Sequence, residues 1–318
     1  MILITGGLGF IGSHTTKALV DMGEECIVTS HQNKHIPTML QQAQRDGKLT
    51  VEEVDITDAT ALQDLGNKYD ITHIIHLAAP RIGTLDVADD LRMNLDGLFT
   101  IIAAARSWKV RRLVVASSIG VYGGLAGPLR EDAPLSMRET NPIAANKKAF
   151  EVLGSAIASK ADIDIVFVRP SAIWGPGGRP RSIFFSLPQL VHAAVNLADS
   201  EVQAQLGDIY ANDGIDMCYV KDCGRAIGSL TVAPQLTHTV YNVGSGQVTT
   251  NQQIVAAIQA IVPNANLTLL PGNASGVKAE RWYQDISRLT EDIDFRPAYD
   301  LQGGIADYIT WVQAENGC

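Results

Sequence analysis

Apolar residues in the first half of the chain fall into short β-branched runs separated by longer stretches with helical spacing. Ile2 to Thr5 reads as a first strand, and Ile11 to Met22 as the helix after it. Cys26 to Thr29, Val51 to Val54 and Ile71 to Leu77 read as the next three strands. Runs this apolar suit strands buried on both faces, as in a parallel sheet. Leu95, Leu98, Ile101, Ile102 and Ala105 give Asn94 to Lys109 the period of a helix, ahead of a strand over Arg112 to Ala116. A helix over Asn146 to Ser159 and a strand over Ile163 to Val168 continue the alternation. Repeated β-α-β units of this kind predict an α/β fold, a Rossmann-type doubly wound parallel sheet.

The pattern changes after Arg169-Pro170, where Gly175, Pro176, Gly177, Gly178 and Pro180 crowd one stretch. Beyond it the spacing predicts helices near Leu187 to Asp199, over Asp222 to Val232 and over Asn251 to Val262, with strands at Met217 to Val220 and Thr239 to Val243. The expected organisation is a dinucleotide-binding domain over 1–173, rejoined by about 213–244, and a smaller α/β substrate-binding lobe over 174–318.

A net charge of -9 and the lack of any Lys/Arg run exclude a partner recognised through a phosphate backbone, since that affinity comes from clustered cations. A small-molecule substrate is expected instead of nucleic acid. Ile71 to Ala79 is far short of the roughly 20 apolar residues a membrane span requires, so no membrane association is expected. Met1 leads straight into a strand-like run without a charged n-region, the pattern of a chain without a secretory signal. Cys26, Cys218, Cys223 and Cys318 lack C-x-x-C spacing and read as free thiols of a reducing compartment, hence a cytoplasmic protein. His14 reads as packed or capping and His73 as solvated; neither has metal-ligand spacing, so no metal is expected.

Thr5-Gly6-Gly7-Leu8-Gly9-Phe10-Ile11-Gly12 sits between the first strand and the first helix, the context in which a glycine string gains physical meaning. The early glycines let the backbone turn and approach a pyrophosphate, Gly12 permits close helix packing, and the helix start offers unpaired N–H donors. NAD or NADP is therefore the expected cofactor. An acid at the end of the second strand normally accepts the adenosine ribose hydroxyls of NAD, but here the chain reads Thr29-Ser30-His31. With no carboxylate to repel a 2′-phosphate, and with His31 or Lys34 able to pair with one, electrostatics leans slightly toward NADP.

Taken in order, these segments resemble the extended short-chain dehydrogenases/reductases, specifically the NAD-dependent epimerase/dehydratase group. Asp55 with Ile56 looks like the group's adenine-contacting element, and His76-Leu77-Ala78-Ala79 like its cofactor-lining strand end. Asn94 is similar to a helix-borne Asn, and Ser117-Ser118-Ile119-Gly120-Val121-Tyr122-Gly123 to the segment with the catalytic Ser or Thr. Arg169-Pro170 with Trp174-Gly175-Pro176-Gly177 resembles the loop opening the substrate lobe, and Tyr219 to Asp222, Tyr241 to Gly244, Arg281 and Asp285 follow in order. The resemblance implies an oxidoreductase or epimerase acting at a carbinol or carbonyl carbon of a polar, sugar-like molecule, and a homodimer packed through the Asn94 and Lys147 helices. It puts Ser118 on the substrate oxygen and Lys147 on the nicotinamide ribose. Arg169 joins the cofactor contacts, and Arg81, Ile119, Ile143, Ser171, Arg179 and Arg181 join the substrate contacts.

Two positions depart from that pattern. The group's chemistry uses a tyrosine four residues before the lysine, whose charge lowers the phenol's pKa for proton transfer. Here Ile143 holds that place. Three readings stay open: another group such as Tyr122, Ser118, a water or a second-lobe residue moves the proton; the reaction needs little acid–base help or is non-redox; or the chain binds cofactor as a sensor or scaffold. An introduced replacement would also account for Ile143. The second departure is Ala172, where nucleotide-sugar members often carry an Asn that helps hold a diphosphate. Ala172 makes a nucleotide sugar a less expected ligand, while Arg179 and Arg181 could still clamp an anionic group; a carboxylated or phosphorylated small molecule would fit both facts.

Overall fold

The computed structural model describes residues 1–31, 35–81, 83–125, 127–195, 207–274 and 282–316. Lys34, Arg281, Cys318 and the end of the helix expected to reach Asp199 lie outside the described residues. The elements run β1 (Ile2–Thr5), α1 (Phe10–Asp21), β2 (Cys26–Ser30), α2 (Thr38–Arg45), β3 (Leu49–Glu53), α3 (Ala59–Lys68) and β4 (His73–His76). They continue with α4 (Val87–Ser107), β5 (Arg112–Ala116), β6 (Pro128–Leu129), α5 (Pro142–Ala161), β7 (Ile165–Pro170), β8 (Ala172–Trp174) and α6 (Leu187–Val195). The rest are β9 (Gly214–Tyr219), α7 (Val220–Val232), β10 (Val240–Val243), β11 (Val248–Thr250), α8 (Asn251–Ile261), β12 (Tyr283–Gln284), α9 (Ser287–Ile293) and α10 (Leu301–Asn316).

Seven parallel strands form the main sheet in the order β3-β2-β1-β4-β5-β7-β10, the doubly wound arrangement expected. Alternation along each strand sends side chains to two apolar layers. Ile2, Ile4, Val114, Val166 and Val168 face the layer under α1 and α7, while Leu3, Leu113, Val115, Ile165 and Phe167 face the layer under α3, α4 and α5. Both faces are covered, which is why these strands read as unbroken apolar runs rather than alternating ones. Gly224 of α7 lies so close to α1 that a Cβ there would stand 2.6 Å from the His14 carbonyl group.

A separate core holds the second lobe, where α6, α8 and α10 pack around Trp174, Met217 and Tyr219. Its small sheet pairs β11 antiparallel and β8 parallel to β9, and a second pair joins β12 to β6. The chain re-enters the main sheet at β10.

Two helices start earlier than their apolar spacing predicts, because caps rather than periodicity begin them. Asp86 accepts from the Ala88 N–H at 2.9 Å, ahead of a polar first turn containing Asp89 and Asp90. Asn141 accepts from the Ile143 and Ala144 N–H groups, with a proline in the first turn of α5. Helices α2 and α3 each bury two apolar side chains, Leu40 and Ala43, and Leu62 and Leu65, too few to write a period into the sequence.

Candidate active site

The strand order reverses between β1 and β4, and that switch point is where doubly wound sheets bind ligands. The turn after β1 and the end of β4 meet there. Gly6 has φ +70, and a Cβ on it would lie 2.9 Å from the Ala78 backbone nitrogen. A Cβ on Gly12 would stand 2.0 Å from the Gly6 carbonyl oxygen. The first helical turn therefore presses against the bend, and Thr16 fixes it by donating to Gly7 O at 3.2 Å. Gly9, which lines the cleft, occupies the N-cap of α1 without any side-chain cap, so the helix's first N–H groups have no capping side chain.

A cleft of about 380 Å³ opens from this bend. It gathers Gly6, Gly9, His31, Asp55, Ile56, Leu77, Ala78, Ala79 and Asn94, nine positions singled out in the sequence. Phe10, Ile11, Gly12 and Ser30 are not on its wall: Gly12 lies behind the bend, and Phe10 packs on Gly177 and Gly178 of the loop entering the second lobe. Thr29, Val54, Thr57, His76, Pro80, Met93 and Gly97 complete the wall. Most stand one to four positions from a residue already chosen, so strand-end position was the signal that could have found them.

At the outer end of this cleft His31 Nδ1 lies 3.7 Å from Asp55 Oδ2. The Thr57 backbone N–H, and then its hydroxyl, hold the Asp55 carboxyl below its ordinary range against the opposing effect of burial. At the inner end His76 is buried with Nδ1 bonded to Thr5 Oγ1 at 2.9 Å; burial first, and the Lys147 charge second, push it down to about 3. It is neutral at physiological pH.

Lys147 stands on the inner wall of α5. Its Nζ lies 4.5 Å over the Phe150 ring and makes no hydrogen bond or ion pair among the described residues. Burial pushes it down to about 8 against the opposing field of Asp90 on α4. Ser118 caps the turn Ile119–Tyr122 by accepting from the Gly120 N–H at 3.0 Å, and a Cβ on Gly120 would touch both Ser118 Oγ and Ala144. This turn thus packs on α5 at Ala144, so that Ser118, Ile119, Ile143 and, one helical turn on, Lys147 share one corner; all four are partly exposed, none lines the cleft, and position 143 offers only aliphatic carbon.

Two expected site residues are corrected by the packing. Tyr122 is fully buried, donates to Asn242 Oδ1 at 2.7 Å and accepts from Arg169 Nη1 at 2.7 Å, with burial pushing its hydroxyl up to about 12. It has no open face from which to exchange a proton with a substrate. Arg169, expected to touch cofactor, instead forks onto Glu151 at 2.6 and 2.8 Å and is 3% exposed, so its guanidinium organises the interior. Ser117 also donates to Glu151, and Gln284 Nε2 donates to the Arg169 carbonyl at 2.8 Å. Tyr122→Phe is expected to leave any turnover unchanged while costing about 1–3 kcal/mol of stability, because two buried partners lose their bond. Thermal unfolding beside a rate assay checks it, and a large rate loss with unchanged unfolding would restore Tyr122 as an acid.

On the substrate side, Ser171 is buried at the end of β7 with no partner for Oγ, while Arg81, Arg179 and Arg181 are exposed. None of these four lines the cleft. His14, fully inside, bonds through Nε2 to Pro176 O at 2.9 Å, and His73 is half-buried and pushed down to about 4 by burial and nearby arginines. Cys26, Cys218 and Cys223 are buried free thiols. Among the described residues no cluster of His, Cys, Asp and Glu could hold a metal ion, and no helix is long and apolar enough to cross a membrane.

Fold and cleft together define a Rossmann-type protein of the extended short-chain dehydrogenase/reductase kind. The profile of the NAD dependent epimerase/dehydratase family matches residues 2–244, and the chain belongs to that family. A UDP-glucuronate 4-epimerase of Thermodesulfobacterium geofontis is 24% identical over 322 residues, spanning 97% of this chain and 95% of that protein. In fold, a UDP-glucuronic acid 4-epimerase from Bacillus cereus in complex with NAD superposes with a TM-score of 0.79 at 22% identity, covering 99% of each chain. A UDP-glucose 4-epimerase with UDP-glucose from Thermotoga maritima gives 0.81 at 18% identity, again over 99% of each.

Proposed function

We propose that this chain is an NAD-dependent epimerase of a sugar nucleotide, with nucleotide-linked uronic acids as the first substrates to test. The observation that carries the reading is the glycine bend: at Gly6 and Gly12 the backbone approaches too closely for a side chain, and the bend opens onto a cleft at the sheet's switch point. Such a cradle fits a dinucleotide, and the residues present match that group. Gly6, Gly9 and the start of α1 would hold the pyrophosphate, with Asp55 and Ile56 at the adenine end and Lys147 at the nicotinamide ribose. When bound, the nicotinamide supplies a reversible hydride acceptor at a carbinol carbon. Ser118 would hydrogen-bond the oxygen of that carbon. Leu77 and Ala78 would give the cleft an uncharged wall between its two ends.

NAD is favoured over NADP. Although no acid ends β2, the Asp55 carboxylate stands 3.7 Å from His31 at that end of the cleft and supplies the negative charge that disfavours a 2′-phosphate there. UDP-glucuronate, named for two of these relatives, is both carboxylated and phosphorylated, the chemistry that exposed Arg179 and Arg181 suit, whereas Ala172 is buried in β8 and offers a diphosphate nothing. Val87, Met93 and Phe99 on α4 and Val152 on α5 are exposed apolar side chains, and pairing these two helices with a second copy would cover them.

Incubation with NAD and UDP-glucuronate, followed by proton NMR of the anomeric region, is expected to show the 4-epimer accumulating, with NADP giving little. One observation favours a second reading, a cofactor-binding protein without redox turnover: Ile143 has no proton to exchange. Tight NAD binding with no conversion of any UDP-hexose or UDP-hexuronate would select it.

A further inference from the structure

Oxidising a carbinol requires that its hydroxyl proton go somewhere, and the position that carries a phenol in this family is Ile143. We propose that the amine of Lys147 is itself the acid–base group of this chain, taking the substrate's hydroxyl proton without an intervening tyrosine. The proposal rests on the NAD-dependent reading above and differs from the family arrangement, in which this lysine assists a phenol.

The geometry leaves Lys147 available and its rivals occupied. Lys148, the next residue, is tied to Ser136 O at 2.8 Å and Glu139 Oε2 at 2.7 Å, so it is not an alternative amine. Tyr122 is sealed behind Arg169 and Asn242. Ser118 Oγ accepts from the Gly120 N–H and carries no titratable group of its own, and His76 is fixed to Thr5. Lys147 Nζ has the Phe150 ring beneath it and no acceptor among the described residues.

The neighbours of this amine show where it sits. Its Nζ lies 4.5 Å over the Phe150 ring, and that ring stacks on His76, which lines the inner end of the cleft.

The surroundings set the amine's charge. Asp90 from α4 favours the ammonium, His76 from β4 is neutral, and the Ser118 turn contributes no charge. Burial outweighs Asp90, which brings the amine to about 8. An amine brought down in this way is neutral far more often near neutral pH than an ordinary lysine. In the step proposed, the neutral amine accepts the O–H proton and becomes ammonium. The C–H electron pair leaves as hydride to an oxidised nicotinamide dinucleotide, and the carbinol becomes a carbonyl. Return of hydride to the carbonyl's other face, with the proton from the ammonium, gives the epimer.

The test joins a titration to a rate profile. Lysines of the intact protein are reductively methylated with carbon-13, and Lys147→Arg assigns the resonance. Lys147 is expected to titrate near 8, well below the other lysines, and kcat/KM on UDP-glucuronate to rise with pH to a plateau above the same value. Arginine keeps the positive charge but cannot become neutral. Lys147→Arg is therefore expected to bind NAD within about tenfold of the native chain while losing about 10²–10⁴-fold in turnover. A Lys147 resonance titrating with the bulk lysines, a variant retaining turnover, or NAD binding without any conversion each overturns the proposal. Failure of the native chain to bind NAD at all overturns the underlying functional reading, and this inference with it.

Discussion

Gly12→Ala is expected to abolish dinucleotide binding at accessible concentrations, lowering affinity by at least about 100-fold, or ~2.7 kcal/mol. The added methyl would stand 2.0 Å from Gly6 O, 2.8 Å from Gly6 C and 2.9 Å from Gly7 Cα, all backbone atoms that cannot rotate away. To admit it, α1 must lift off the bend, and its unpaired N–H groups then miss the pyrophosphate they are placed to meet. The same displacement strains the bond from Thr16 to Gly7 and should cost about 1–3 kcal/mol of stability by overpacking. Gly9→Ala provides the graded comparison: its Cβ would be 3.2 Å from the same oxygen at an ordinary φ of -75, so a much smaller loss is expected. Fluorescence titration with reduced cofactor ranks the two variants, and equal affinities would show that the bend does not hold the ligand.

Arg169→Ala is expected to be the most destabilising single change in the sheet, at about 3–5 kcal/mol, because it strands Glu151 as a buried charge. Both carboxylate oxygens lose their donors from the guanidinium, and Tyr122 loses the one it accepts. The midpoint of thermal unfolding should fall by about 5–15 °C. Glu151→Gln, which keeps the shape and some hydrogen bonding, should fall less. If Arg169→Ala instead left unfolding unchanged and weakened NAD binding, the guanidinium would be a cofactor contact, as the family resemblance implies.

The contrast between these two residues shows what the sequence could convey. Gly12 was legible because its role is local: strand, bend and helix are contiguous, and the spacing alone forces the close approach. Arg169 was not, since its partners Glu151, Tyr122 and the Glu131 carbonyl come from α5, the Ser118 turn and the loop after β6, and only folding brings them together. Tyr122 was misjudged for the same reason: its nearness to Ser118 in sequence says nothing about which face of the turn it occupies. The main sheet was readable wherever strands are buried on both faces, while α2 and α3, with two apolar anchors each, left no period to read. Helix α10 buries Ile305, Tyr308, Ile309 and Val312, a helical spacing visible in the chain but not followed that far.

The replacement at position 143 was visible from the first, and the structure sharpens its meaning. With Tyr122 withdrawn into the interior, the corner around Ser118 retains one titratable side chain with no partner among the described residues, Lys147.

Titration of the native protein with NAD in a calorimeter, with bound nucleotide first stripped and the fold checked by circular dichroism, tests the central claim most directly. The account predicts saturable binding of one NAD per chain that Gly12→Ala eliminates. Absence of heat from folded protein at millimolar NAD, or binding that survives Gly12→Ala undiminished, would contradict it.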